Sequence, residues 1–321
     1  MDYRRWRNFV TTPSPAYAAV DWGTSSFRLW LIDAEGTVLG ERRSGEGMTT
    51  AAKSGFSAIL EAHLDALSAP NNLPVIICGM AGARQGWVEA GYVDVPAALS
   101  QVLTAAAIVP DARRDIRILP GIAQRGASPD VMRGEETQLL GARDESVTSE
   151  QLLCMPGTHS KWVRLSGETV TGFASFMTGE LFDVISKNSI LQHALTDAGA
   201  FDGSHPVFLA AIRAVFAQPA RATNLVFTVR SGQLLDGLDA TGAAARLSGT
   251  LIGAEIAGGM ADGWQRKKLD APIRLIASGR LQGLYEAAFD ALNLPYNTID
   301  ADEAVRRGLS QAAKTVFDGN N

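Results

Sequence analysis

The first residues that could do chemistry stand at Asp21, where an apolar run gives way to Gly23-Thr24-Ser25-Ser26 and a second apolar run returns through Arg28. A hairpin turn of Gly, Thr and Ser aims several backbone N–H groups into one space, and small side chains let an anion approach the backbone. Such a nest binds phosphate oxygens. A carboxylate beside it would repel phosphate directly, but it can hold Mg2+ or the waters of Mg2+ and so offset the phosphate charge. Arg28, on the returning run, can reach a transferring group or a neighbouring acid. The same residues would also serve an ordinary hairpin with a capping aspartate.

The pattern recurs. In "MPGTHSKW", residues 155–162, a strand-like run again ends in a Gly-Thr turn, at Gly157-Thr158, and returns through Ser160 and Lys161. One nest in each half would clamp a polyphosphate between two lobes. A third glycine, Gly279 in "ASGRL", ends a buried run and opens a helix, where a nucleotide base or α-phosphate could lie against the helix N-terminus. Taken alone, a glycine that merely starts a helix explains it as well.

Phosphoryl transfer to an alcohol also needs a carboxylate that takes the hydroxyl proton. In "VMRGEETQLLGA", 131–142, Gly134 ends an irregular segment and Glu135-Glu136 open a helix. Acids in a first helical turn complement the helix dipole, so helix capping and catalysis are both open. "MTGELFDVI", 177–185, places Glu180 in the same ambiguous position. The loop "GMAGARQGW", 79–87, carries Met80, Arg84 and Trp87 and has the make-up of a substrate loop, or of a turn closed by a boundary tryptophan.

These residues need a scaffold, and the patterning supplies one. Tyr17–Asp21, Phe27–Asp33 and Val38–Arg43 read as an antiparallel meander. Phe56, Ile59, Leu60, His63, Leu64 and Leu67 recur at helical spacing, with His63 as a core or boundary histidine. Buried strands follow at 73–80 and 116–121. A second meander spans 152–176, a helix starts after Thr178-Gly179-Glu180, and an Ala- and Leu-rich helical stretch covers 190–263. A late strand at 271–279 precedes a helix with Leu281, Leu284, Tyr285, Ala288, Phe289 and Leu292 on one face. "YNTID" is the last strand, and 303–317 a final amphipathic helix. Two meanders, each followed by helix and strand, predict a duplicated α/β fold whose second copy carries an insertion. The expected division is a loose tail at 1–15, an N-terminal lobe at 16–130, a connecting helix at 131–150, a C-terminal lobe at 151–302 and a C-terminal helix at 303–321.

Composition narrows the function. The 321 residues carry 46% hydrophobic and 20% charged residues with a net charge of −5, enough for buried cores and without the basic field that nucleic acid would require. The two cysteines, Cys78 and Cys154, sit in apolar runs and read as buried reduced thiols, and the four histidines have no ligand spacing. No stretch reaches 18 uninterrupted apolar residues and the N-terminus lacks a signal-peptide core, so a cytoplasmic protein without membrane attachment is expected.

The order "DWGTSSFR", "RGEETQLLGA", "MPGTHSKWV" and a late "SGRL" resembles the sugar-kinase branch of the actin-like ATPase superfamily. More closely, "GMAG…GW", "VMRGEETQLLGA", "MPGTHSKWV" and "MTGEL" resemble the 2-dehydro-3-deoxygalactonokinase family, from about residue 17 to 315. The resemblance implies two ribonuclease-H-like (actin-like ATPase) lobes with a cleft between them, and transfer of the ATP γ-phosphate to the 6-hydroxyl of 2-dehydro-3-deoxy-D-galactonate in bacterial galactonate breakdown. It implies Asp21 organising Mg2+, phosphate binding by Gly23, Thr24 and Ser25 and by Gly157, Thr158 and Ser160, and Gly279 beside the nucleotide. Arg28, Met80, Arg84, Trp87, Lys161 and Glu180 are the expected substrate-side residues. Related kinases place an aspartate after the glycine at the base position; Glu135 stands there with Glu136 beside it, so the proton acceptor is open between them, with Glu180 the next candidate. The partners expected are ATP and a small sugar acid, with a homodimer left open. Rival expectations are a kinase of the same fold for another sugar acid or ketose, and a non-catalytic sugar sensor. The sensor would need a helix-turn-helix module that the short N-terminal segment cannot hold. A filament-forming relative is a third, disfavoured by the glycine-rich substrate loop.

Overall fold

The computed structural model describes residues 13–110, 112–144, 147–261 and 271–318. Of the expected N-terminal tail, residues 1–12 lie outside them. The described residues form two compact units, one drawn from 13–91, 102–121 and 308–318, the other from 92–101 and 122–307.

In the first unit the meander is β1 (Tyr17–Trp22), β2 (Phe27–Ile32) and β3 (Val38–Ser44), paired antiparallel in the order β3-β2-β1. The strands β4 (Val75–Gly79) and β5 (Ile116–Ile118) extend it parallel to β1. The helix α1 (Phe56–Ala66) buries Phe56, Ile59, Leu60, His63 and Leu64, the face its spacing predicts. That face packs with Val20, Trp22, Phe27 and Leu29 in one core. β1 and β4 are buried on both faces, which is why they read as continuous apolar runs rather than as alternating ones.

The second unit repeats the plan. β6 (Glu150–Met155), β7 (Ser160–Ser166) and β8 (Thr169–Phe176) form the meander, and β9 (Ile273–Ala277) and β10 (Tyr296–Asp300) add in parallel beside β6. Both sheets therefore run 3-2-1-4-5 with the first three strands antiparallel, the ribonuclease-H-like topology, so the expected duplicated α/β fold is present. This unit also carries the helices α2 (Glu135–Ala142), α3 (Thr178–Asn188), α4 (Pro206–Ala217), α5 (Ala222–Leu235), α6 (Ala240–Ala261) and α7 (Gly279–Ala291). The stretch expected to be helical over 190–263 resolves mainly into α4, α5 and α6, with 262–263 outside the described residues. α6 is buried on most of its circumference, and no described helix is long and apolar enough to cross a membrane. Cys78 and Cys154 are free and buried.

The unit boundaries depart from those expected of the lobes, and backbone pairing explains why. Residues 92–94 and 130–132 flank 121–124 in a small three-stranded sheet, and Ala97–Ala98 pairs with β8, so these segments of the expected first lobe go with the second unit. The expected connecting helix, α2, is also part of the second unit, and the division at 307/308 falls inside α8 (Ala301–Ala313). In α7, Leu284, Tyr285, Ala288 and Phe289 are buried as predicted, whereas Leu281 is partly exposed and Leu292 caps the helix end.

Candidate active site

In the first unit, strand register sets the chemistry. Asp21 and Arg28 are directly opposed across β1 and β2, and Arg28 Nη2 donates to Asp21 Oδ2 in an ion pair. Cys78, opposite Asp21 on β4, points its Sγ at Asp21 Oδ1 at 3.8 Å. Arg28, expected on the substrate side, thus holds the acid in place. The turn after β1 is closed by Gly23 N–H to Ser26 O at 2.9 Å, with Thr24, Ser25 and Ser26 exposed. Behind it lies Gly47, a glycine outside the sequence motifs. A Cβ on Gly47 would stand 2.5 Å from Ser25 N and Thr24 O, and Met48 and Thr49 N–H donate to Gly23 O and Thr24 O. Next to it, Glu46 binds His63 Nε2 at 2.8 Å, and His63 stacks on Phe27, so His63 is a buried structural histidine.

The loop after β4 folds back on itself through Trp87 N–H to Ala81 O at 2.7 Å. Trp87 stacks on Phe56 at 5.8 Å and meets Trp22 edge-on at 6.1 Å, so its ring completes an aromatic cluster rather than standing out for a substrate. Met80 is half-buried in a single helical turn and Arg84 is exposed.

The second unit backs its turn in the same way. Glu180 N–H donates to Thr158 O at 3.0 Å, and a Cβ on Gly179 would stand 2.6 Å from Gly157 O and 2.8 Å from Thr158 Cα. Only glycine allows the first turn of α3 to press this close to backbone. Thr158 and His159 are exposed, while Ser160 is fully buried and accepts from Gly157 N–H at 3.4 Å. Ser160 therefore shapes the turn from inside. Glu180 pairs with His159 Nε2.

Both glutamates at the start of α2 turn back onto its N-terminus. Arg133 N–H donates to Glu135 Oε2 at 3.0 Å, and Gly134 N–H lies 2.9 and 2.7 Å from the two oxygens of Glu136. Their surroundings then diverge. Glu136 is fully buried, and burial followed by the neighbouring Glu135 charge pushes its carboxyl up to about 8. Glu135 is partly exposed and lies 3.3 Å from Lys161 Nζ, which is itself buried and donates to His159 O at 3.3 Å. One lysine thus ties the Glu135 carboxylate to the Gly157–Ser160 turn. The far end of α2 is anchored by Arg274 of β9, which donates to Ala142 O at 2.6 Å.

Beside this turn is a pocket with about 540 Å³ of empty volume. Its polar rim is Gly157, Thr178 and Gly179, and its apolar wall includes Phe182, Phe201 and Leu284. Arg280 lines it as well, its guanidinium 4.6 Å from the Phe201 ring centre. Gly279 precedes Arg280 with φ +62° and open space where a Cβ would stand. Its apolar wall beside the Gly157–Thr158 turn suits a ligand that carries both an apolar ring and phosphate. As to metal, no cluster of three or more His, Cys, Asp or Glu is present among the described residues. Asp21 supplies one carboxylate, which fits a Mg2+ ion carried on phosphates and not one caged by protein alone.

A duplicated ribonuclease-H-like chain with a small-residue turn after the first strand of each copy, and an acid-started helix bridged to one of them, defines a phosphotransferase of the sugar-kinase type. The 2-keto-3-deoxy-galactonokinase family model matches residues 21–312, and the chain belongs to that family. It is 57% identical over 307 residues to a Rhizobium meliloti (strain 1021) protein named probable 2-dehydro-3-deoxygalactonokinase DgoK1, covering 95% of this chain and 99% of the relative. It is 34% identical over 303 residues to the 2-dehydro-3-deoxygalactonokinase of Escherichia coli (strain K12), covering 94% and 98%. A crystal structure from Sinorhizobium meliloti, of a protein assigned as a 2-dehydro-3-deoxygalactonokinase, superposes with a TM-score of 0.90 at 57% identity over 94% of this chain and 99% of that one.

Proposed function

We propose that this kinase transfers the γ-phosphate of ATP to the 6-hydroxyl of 2-dehydro-3-deoxy-D-galactonate, in the cytoplasm, with Glu135 as general base. The observation that carries the reading is the Glu135–Lys161–His159 bridge, which holds a partly exposed carboxylate next to a turn suited to phosphate. The nucleotide ring would occupy the pocket of Phe182, Phe201 and Leu284. The backbone of the exposed Thr158 and His159 would receive phosphate oxygens, since Gly157 N–H is already directed to Ser160. Glu135 would take the hydroxyl proton as the oxygen attacks phosphorus. Glu136 is fully buried and its carboxyl is pushed up to about 8, which favours the partly exposed Glu135 as the proton acceptor. Asp21, oriented by Arg28, would hold Mg2+ waters; the ion's contribution is to neutralise charge on the phosphates. The test is ATP-coupled turnover on a panel of 2-keto-3-deoxy sugar acids and neutral ketoses, with and without Mg2+. The galactonate derivative should give the highest kcat/KM, and turnover should require the metal. A higher kcat/KM on the gluconate epimer or on a neutral ketose would overturn the substrate assignment.

A further inference from the structure

Glu255 is the one charged residue between Arg246 and Asp262, inside the apolar and small-residue run of α6, and it is 2% exposed. A lone carboxylate in such a place is costly unless donors surround it. Four do. Trp162 Nε1 donates at 2.9 Å and Tyr285 Oη at 2.6 Å, and the hydroxyls of Ser160 and Thr178 also bond to it. Burial raises its carboxyl above the ordinary value, and these four donors pull the other way.

The donors come from three elements, β7, α3 and α7, of which α3 and α7 line the pocket described above, together with α6 itself. Thr178 and Tyr285 line that pocket themselves. Ser160 lies one step behind it. Ser160 Oγ bonds to Glu255, lies 3.2 Å from Tyr285 Oη and accepts Gly157 N–H at 3.4 Å. The Gly157 N–H is thereby committed to Ser160, next to the exposed Thr158 and His159. Thr178 begins the helix whose next residue, Gly179, presses on Gly157 O, so the same carboxylate also sets how closely α3 closes on the turn.

We propose that Glu255 is a positioning residue for nucleotide phosphate: by gathering Ser160, Thr178 and Tyr285 it fixes the conformation of the Gly157–Ser160 turn. This rests on the reading of the pocket as the nucleotide site. An amide in place of the carboxylate keeps the shape but has one acceptor oxygen, and its NH2 must confront one of four donors. A hydrogen bond to a charged group is worth about 10- to 100-fold in an equilibrium constant. Glu255→Gln should therefore weaken nucleotide binding by about that factor, while the KM for the sugar acid stays near wild type. Tyr285→Phe removes one donor and leaves the carboxylate with three, so it should act in the same direction and less strongly.

The experiment is calorimetric titration of a non-hydrolysable ATP analogue into wild type, Glu255→Gln and Tyr285→Phe, with KM for ATP and for the sugar acid measured separately and folding checked by thermal denaturation. Failure of wild type to bind the analogue would sink the nucleotide-site reading itself. Wild-type binding with unchanged affinity in a folded Glu255→Gln overturns the positioning role alone. So does a lowered melting temperature with both KM values unchanged, because a purely structural residue behaves that way. Should Glu255→Gln not fold, Tyr285→Phe decides by the same split: a raised ATP KM supports the role, an unchanged one overturns it.

Discussion

Glu136 makes a quantitative prediction about pH. Its carboxyl titrates near 4.5 in the unfolded chain and near 8 in the fold. Between those values the folded state keeps a proton that the unfolded state has released. The contribution of this group to stability is therefore fully present below about 4.5 and is lost as pH rises through about 8. The slope in that window is about 1.4 kcal/mol per pH unit, so between pH 6 and pH 8 this one group should cost the protein about 2 kcal/mol. Glu136→Gln cannot ionise, and its stability carries no such slope. The variant has its own penalty, because Gly134 N–H faces both side-chain oxygens and would meet an amide NH2 at one of them. That penalty is about 1–3 kcal/mol and does not vary with pH. The gap between wild type and variant should thus shrink by about 2 kcal/mol from pH 6 to pH 8, measured by urea denaturation of both proteins at pH 6, 7 and 8. Other titrating groups, Glu255 among them, cancel in the difference. A gap that stays constant across the range would refute the argument that Glu136 is protonated in the fold, and with it the ground for favouring Glu135 as the base.

Glu135→Gln should lower kcat by about 10²- to 10⁴-fold with nucleotide affinity nearly unchanged; if Glu136→Gln gives the larger kcat loss, the base moves by one residue, and if both are small it lies elsewhere. Asp21→Asn keeps an acceptor for Arg28 but loses the charge, so turnover should fall about 10²-fold or more with the fold intact, and near-normal rates at saturating Mg2+ would exclude the assignment. Gly179→Ala drives a methyl group to 2.6 Å from Gly157 O, so it should cost about 1–3 kcal/mol and raise the KM for ATP; an unchanged KM in thermal and kinetic assays would show that α3 does not constrain the turn.

The amino-acid pattern alone determined the duplication. The run Val75–Gly79 is apolar on both faces because parallel strands are covered on both sides, and the Gly-Thr turns punctuate each meander at the same place. The family motifs named the reaction class for the same reason: glycine and small polar residues are what backbone needs to meet phosphate. What the sequence could not rank was two adjacent glutamates. Glu135 and Glu136 differ by one position, about 100° around a helix, and only the packing decides that one is fully buried and protonated while the other meets Lys161. Residues with two readings acquire neighbours distant in the chain. Trp87 went to Phe56 and Trp22, Arg28 to Asp21, and Ser160 to a carboxylate 95 positions later at Glu255. Local periodicity carries the information that builds strands and helices. Desolvation and hydrogen-bond partnership, which set charge and role, exist only once the elements have come together.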